Sequence, residues 1–124
     1  MDSTPQLLVI KYKTAWEQHD IRLLAEIFTE DIVYQEKPGV ILRGLPELEQ
    51  YWLDNKEKQR NVIFTAHQCT ASGNDIELLW SASFFDTKKK MQASIQGTMW
   101  LRLDGKKIGS LKESFNIVYN EPSL

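Results

Sequence analysis

The chain of 124 residues carries 15 basic and 17 acidic side chains, a formal charge of −2, and so lacks the basic surplus that binding a phosphate backbone requires. Its apolar and charged fractions are those of an ordinary globular domain, and it has neither an apolar run near the roughly 18 residues of a membrane span nor a basic-then-apolar opening. One cysteine, Cys69, excludes an intramolecular disulfide and fits a reducing compartment; the expectation is a single cytoplasmic domain over residues 1–124 with no nucleic-acid or membrane partner.

Thr4 and Pro5 open the first predicted helix, Thr4 as N-cap and Pro5 where a missing N–H costs nothing. Leu8, Tyr12, Ala15, Trp16 and His19 then recur at spacings of three and four, opposite Lys11, Lys13, Glu17 and Gln18. Asp20 is placed to cap a second helix, with Ile21, Leu24, Ala25 and Phe28 as its apolar set and Glu30-Asp31 as its end. A strand comes next over 32–36, then a turn at Lys37-Pro38-Gly39 and a returning strand over 40–43. Gly44 breaks the chain, and Pro46 starts a third helix with Leu48, Tyr51 and Trp52 on one side.

The second half reads as four strands. The first spans about 61–71 and stops at Ser72-Gly73-Asn74. The second carries Ile76, Leu78, Trp80, Ala82 and Phe84 on one face, and the third Met91, Ala93, Ile95, Gly97, Met99, Leu101 and Leu103. Between them Lys88-Lys89-Lys90 is a solvated hairpin tip. Asp104-Gly105 signals a tight hairpin into a fourth strand with Leu111, Phe115, Ile117 and Tyr119 inward. Strands with one apolar face make an antiparallel sheet covered on one side, here by the N-terminal helices, and hence an α+β domain. Trp100, Leu79 and Phe85 put large apolar groups on the outer face, which points to a homodimer formed through it.

Several polar groups fall on inward faces. Glu113 interrupts the alternation of Leu111, Phe115 and Ile117. Inside an apolar cavity its charged form would be destabilised and it would become an acid or base near neutral pH; otherwise it pairs with a cation such as Arg43 or lies at the cavity rim. His67 shares a strand face with Cys69, but no third ligand stands at suitable spacing, so no metal site is expected. The alternatives for His67 are a hydrogen bond within the sheet or an acid–base role in the pocket. His19 is read as a helix-terminal residue favoured by the dipole. Trp16, Trp52, Trp80 and Phe115 fall on inward faces, either as core or as walls for a flat or apolar ligand. There is no glycine-rich phosphate loop, no flanked nucleophile and no nicotinamide or flavin fingerprint. No cofactor is expected, and any chemistry would be proton transfer.

The order helix, helix, strand pair, helix and long meander, with residues 15–20, 27–34, 44–52 and 103–108, resembles the nuclear transport factor 2-like superfamily in its SnoaL-like and ketosteroid isomerase-like branch. The resemblance implies a cone-shaped curved antiparallel β-sheet wrapped around three N-terminal helices, a deep and largely apolar pocket, and often a homodimer packed through the outer face. It implies no single reaction, because the superfamily holds both enzymes and binding modules. Ketosteroid isomerases carry an oxyanion-donating tyrosine on the first helix, which matches Tyr12, and a general-base carboxylate on the first strand, which matches Glu36. The Lys37-Pro38-Gly39 turn beside Glu36 leaves open that it lies in water. Their second donor, a protonated aspartate, aligns near Met99, which cannot donate, so a steroid-isomerase mechanism of the known type is not expected. The resemblance and the residues together leave two expectations. One is a cofactor-free enzyme of isomerase, cyclase, dehydratase or epoxide-hydrolase type, with Glu36 or Glu113 as base, Tyr12 and His67 polarising the substrate, and Trp16, Trp52, Trp80, Met99 and Phe115 binding it. The other is a non-catalytic ligand-binding or dimerisation module, with its carboxylates exposed or ion-paired and its cavity plugged by tryptophans.

Overall fold

Thr4–Gln18 form α1, and its buried stripe of Pro5, Leu8, Tyr12 and Ala15 matches the apolar spacing of the sequence. The computed structural model describes residues 4–36 and 39–120; Lys37 and Pro38 of the expected turn lie outside the described residues. Asp20 caps the next segment, its carboxylate accepting from the Arg22 N–H at 3.1 Å. That segment is shorter than the predicted second helix: one 3-10 turn, Ile21–Leu23, and a single helical turn, α2, Leu24–Ile27. Strand β1, Phe28–Glu36, takes the residues expected to finish that helix. Phe28 and Thr29 are good strand formers, and Phe28 has a partner, Ile108, on the last strand, so sheet pairing overrides the helical spacing.

β2, Val40–Arg43, returns antiparallel to β1. Gly44 then adopts a φ of +87°, a left-handed geometry that favours glycine, and its N–H donates to the Ile32 carbonyl at 2.7 Å. This fixes the start of α3, Leu45–Lys56, which buries Leu48 and Trp52.

The meander is built from β3 Gln59–Ser72, β4 Asp75–Asp86, β5 Met91–Asp104 and β6 Lys107–Asn120. Ile76, Leu78, Trp80, Ala82 and Phe84 are buried from β4, and Ala93, Ile95, Met99, Leu101 and Leu103 from β5, as their alternation predicts. Gly97 lets the Trp80 ring lie close across β5: a Cβ there would come within 2.9 Å of that indole.

The six strands form one curved, open sheet in the order β2-β1-β6-β5-β4-β3, packed around the helices as an α+β fold. The expectation of a wholly antiparallel sheet needs correction. The sheet is mixed, because β1 pairs with β6 in parallel while every other junction is antiparallel. The meander fixes the direction of β6 and leaves one of its edges free, and β1 enters that edge after the helical hairpin running the same way. That junction builds the site.

Candidate functional site

In the parallel register of β1 and β6, Glu36 stands opposite Glu113 and Tyr34 opposite Leu111. Alternation puts Tyr34 and Glu36 on the inner face, so the two carboxyls arrive side by side in the interior. Glu113 is 5% exposed and Glu36 half-buried. The Tyr34 hydroxyl donates to Glu113 Oε1 at 2.9 Å. The hydroxyls of Tyr51 and Tyr34 and the Glu113 carboxyl all lie in hydrogen-bonding reach of Glu36, and Tyr12 lies in reach of Tyr34. Three tyrosines thus surround two carboxyls. Neither carboxyl has a Lys, Arg or His ion-pair partner among the described residues, and Arg43 stands on β2 with its backbone N–H bonded to Glu47.

Burial first, and then the negative field of Glu36, push the Glu113 carboxyl up to about 8. Burial raises Glu36 as well, but hydrogen bonds from Tyr51, Tyr34 and Glu113 pull it back. Glu113 is therefore the group that keeps a proton at neutral pH, and Glu36 the one that ionises. Geometry supports this order. Glu113 Oε2 is buried with no donor aimed at it, so two ionised carboxylates would face each other unrelieved. A proton on Oε2 can be donated to Glu36 while Oε1 accepts from Tyr34. Burial and the charge of Glu113 also hold the Tyr12 and Tyr34 hydroxyls far above the ordinary phenol value, and Tyr51 is raised too, so all three remain proton donors.

The cavity above this group measures about 330 Å³. Tyr12, Trp16, Trp52, Trp80 and Phe115 line it together with Tyr34, Tyr51, Glu36 and Glu113. The aromatic residues brace one another: Tyr12 meets Trp52 edge-on at 5.6 Å between ring centroids, Trp16 meets Trp80 at 5.8 Å, and Phe64 stacks behind Trp80 at 5.7 Å. Trp52 and Trp80 are buried, so they serve as core and wall at once, and the tryptophans do not plug the space. His19, Asn55, Lys58, Gln59 and Asp86, all half-exposed, form its polar rim. There Gln59 Oε1 accepts from Trp16 Nε1 at 2.8 Å and lies 3.2 Å from His19 Nε2. Gln59 Oε1 only accepts, so His19 donates to it through Nε2; burial lowers the His19 imidazole.

Two expected residues stand elsewhere. His67 is exposed on the outer face, its Nε2 2.7 Å from Ser81 Oγ, and does not reach the cavity. Alternation from the buried Val62 and Phe64 turns His67 outward, and a bulge between Ala66 and Gln68 then resets β3 so that Cys69 reaches the core side. Met99 is buried beside Glu113 in the β5–β6 register and belongs to the core under the cavity rather than to its wall. No group of three potential metal ligands occurs among the described residues. Sequence reasoning missed Tyr34 and Tyr51 as members of the site. Tyr34 was within reach, since it lies two residues before Glu36 and shares its face.

Solved structures share this architecture at low identity. A protein described as a SnoaL-like polyketide cyclase, from Shewanella denitrificans OS-217, superposes with a TM-score of 0.80 at 15% identity, covering 90% of this chain and 90% of its own. An LEH-like epoxide hydrolase from M. tuberculosis gives 0.79 at 12% identity, covering 92% of this chain and 84% of its own. A hypothetical protein from Catenulispora acidiphila DSM 44928, with a ketosteroid isomerase-like fold and in complex with trimethylamine, gives 0.78 at 17% identity, covering 86% and 82%. At such identities the likeness speaks for the fold. No curated protein matches the chain in sequence. The family model for the SnoaL-like domain matches residues 9–110, most of the length, and the chain belongs to the SnoaL-like domain family.

Proposed function

We propose that the chain binds a small, largely apolar compound in this cavity and moves a proton on it, with Glu36 as base and Glu113 as acid. The observation that carries the reading is the pair itself: two carboxyls on adjacent parallel strands, with no cation beside them and three tyrosine hydroxyls around them. An ionised and a neutral carboxyl side by side can take a proton from one atom of a ligand and return one to another, which is the shared need of isomerisation, dehydration and aldol cyclisation. A carbonyl compound fits best. Glu36 removes the proton next to the carbonyl, a tyrosine hydroxyl or the Glu113 acid receives the charge that develops on oxygen, and the proton returns to a second carbon. The cavity lies at the lower end of the range of about 300–1,000 Å³ usual for ligand pockets, so the occupant has one or two rings at most.

The test is exchange of carbonyl-adjacent hydrogens for deuterium, monitored by proton NMR in D₂O over a panel of small cyclic ketones, enones and lactones. The protein is expected to accelerate exchange of at least one compound, saturably, above buffer of matched carboxylate concentration. Uniform failure across the panel contradicts the catalytic reading.

The outer face supports a homodimer. Ile63, Leu79, Trp100 and Val118 are exposed there, Trp100 to 44% and Val118 to 57%. Trp100 borders a groove that also carries Glu77, Arg102 and Lys112, so both signs of charge are available to a self-complementary contact. Trp100→Glu is expected to convert a dimer into a monomer in light scattering coupled to size exclusion. A wild-type monomer, or a mutant that stays dimeric, contradicts this.

A further inference from the structure

We propose that the cavity is also a receptor for small organic ammonium cations, held by the carboxyls of Glu36 and Glu113 and by the faces of the rings around them. The proposal rests on the cavity being a ligand site and not on catalysis there.

Three observations carry it. The first is charge without counter-charge. The ion pairs among the described residues, Lys11 with Glu26, Lys13 with Glu17 and Arg22 with Asp20, all lie away from the cavity, and Lys58 reaches it only from the rim. A part-buried carboxylate held only by hydrogen bonds still lacks a counter-charge, and no cation of the chain supplies one at the Glu36–Glu113 pair among the described residues. The second is Glu113 Oε2, buried in a side chain that lines the cavity with no donor from the chain aimed at it, so that once its proton is displaced the oxygen is left to face a ligand. The third is the wall. Tyr12, Trp16, Trp52 and Trp80 line the cavity and pack against one another at steep angles, 87° between Tyr12 and Trp52 and 67° between Trp16 and Trp80, and aromatic rings attract a cation through faces that are negative at their centres. Anionic and ring-lined, the cavity suits an alkyl- or arylalkylammonium ion.

Proton bookkeeping separates this ligand class from carbonyl compounds. A carbonyl ligand needs the proton that Glu113 holds, whereas a cation competes with it. Cation binding should therefore expel that proton to the buffer. Of the other titratable groups that face the cavity, Tyr12 from α1, Tyr34 from β1 and Tyr51 from α3 keep their protons, and His19, Lys58 and Asp86 stand at the rim.

The test compares benzyltrimethylammonium, whose charge is permanent and which cannot donate a hydrogen bond, with its uncharged carbon isostere neopentylbenzene. Both are titrated into the whole protein at neutral pH, by calorimetry and by the fluorescence of the cavity tryptophans. The cation is expected to bind about tenfold more tightly or better. Its heat should differ between phosphate and Tris buffers, as proton release demands. In Glu36→Gln, the isostere should bind as before while the advantage of the cation falls below about threefold. In Glu113→Gln, the advantage should persist, because Glu36 remains ionised, but the proton release should vanish. Should Glu36→Gln fail to fold, the Glu113→Gln result decides. Equal affinity of the two probes, binding of neither, an advantage retained in Glu36→Gln, or proton release retained in Glu113→Gln each overturns the proposal. Cation binding without any deuterium exchange would sink the catalytic reading and leave this one standing.

Discussion

Glu36→Gln is expected to cut the deuterium-exchange rate by about 10²- to 10⁴-fold, the usual worth of a positioned general base. The amide keeps the shape of the side chain and can still bond to Tyr51, but it cannot accept a proton at neutral pH. The wild-type rate should also trace a bell-shaped pH profile. It rises as Glu36 ionises and falls as Glu113 loses its proton toward about 8. Glu113→Gln should abolish the alkaline limb and leave the acidic one. A Glu36→Gln variant that exchanges at the wild-type rate removes Glu36 from the chemistry, and an alkaline limb that survives in Glu113→Gln removes Glu113.

The second large effect is on stability. Glu113 titrates near 4.5 when unfolded and near 8 in the fold, so the folded state holds a proton that the unfolded chain has released across that interval. Stability carries no penalty from this group below about pH 4.5, falls as pH rises, and levels out above about 8. The full penalty is on the order of 5 kcal/mol, and about 3 kcal/mol of it is present at pH 7. Glutamine is neutral throughout and can accept from Tyr34 through its carbonyl, so Glu113→Gln is expected to be the more stable protein at pH 8, with a melting temperature higher by about 10 °C or more. The gap should close toward pH 5. A variant no more stable than wild type at pH 8, or a gap independent of pH, would show that Glu113 ionises freely in the fold. Such a group, kept at a cost to the fold, is what a site for proton chemistry asks of its scaffold.

The long strands and their inward faces were legible in the sequence, because twelve to fourteen residues of alternation leave little room for a second register. Glu113 was legible for the same reason, as one charge in an apolar row. Short elements fared worse. The four residues of α2 are too few for spacing to separate a helical turn from the first residues of a strand, and Phe28 went to β1. The parallel pairing of β1 with β6 joins residues nearly eighty positions apart, and no local pattern announces it. Without that pairing Glu36 and Glu113 are two separate carboxylates; with it they become one group. The shared face expected for His67 and Cys69 does not exist because a bulge lies between them, and a bulge leaves no mark on an alternating pattern until the partner strand is known.

The most direct measurement is a pH titration of the side-chain carboxyls by carbon-detected NMR, with Glu36→Gln and Glu113→Gln used to assign the two signals. If the pair shares a proton, one step is expected well above the ordinary carboxylate range, near 8, with both signals responding to it, and in Glu36→Gln the Glu113 signal should move down by the part that the Glu36 charge supplies while burial keeps it above ordinary values. Two independent titrations near 4.5 that ignore each other would contradict the shared proton, and with it the acid–base role assigned to the cavity.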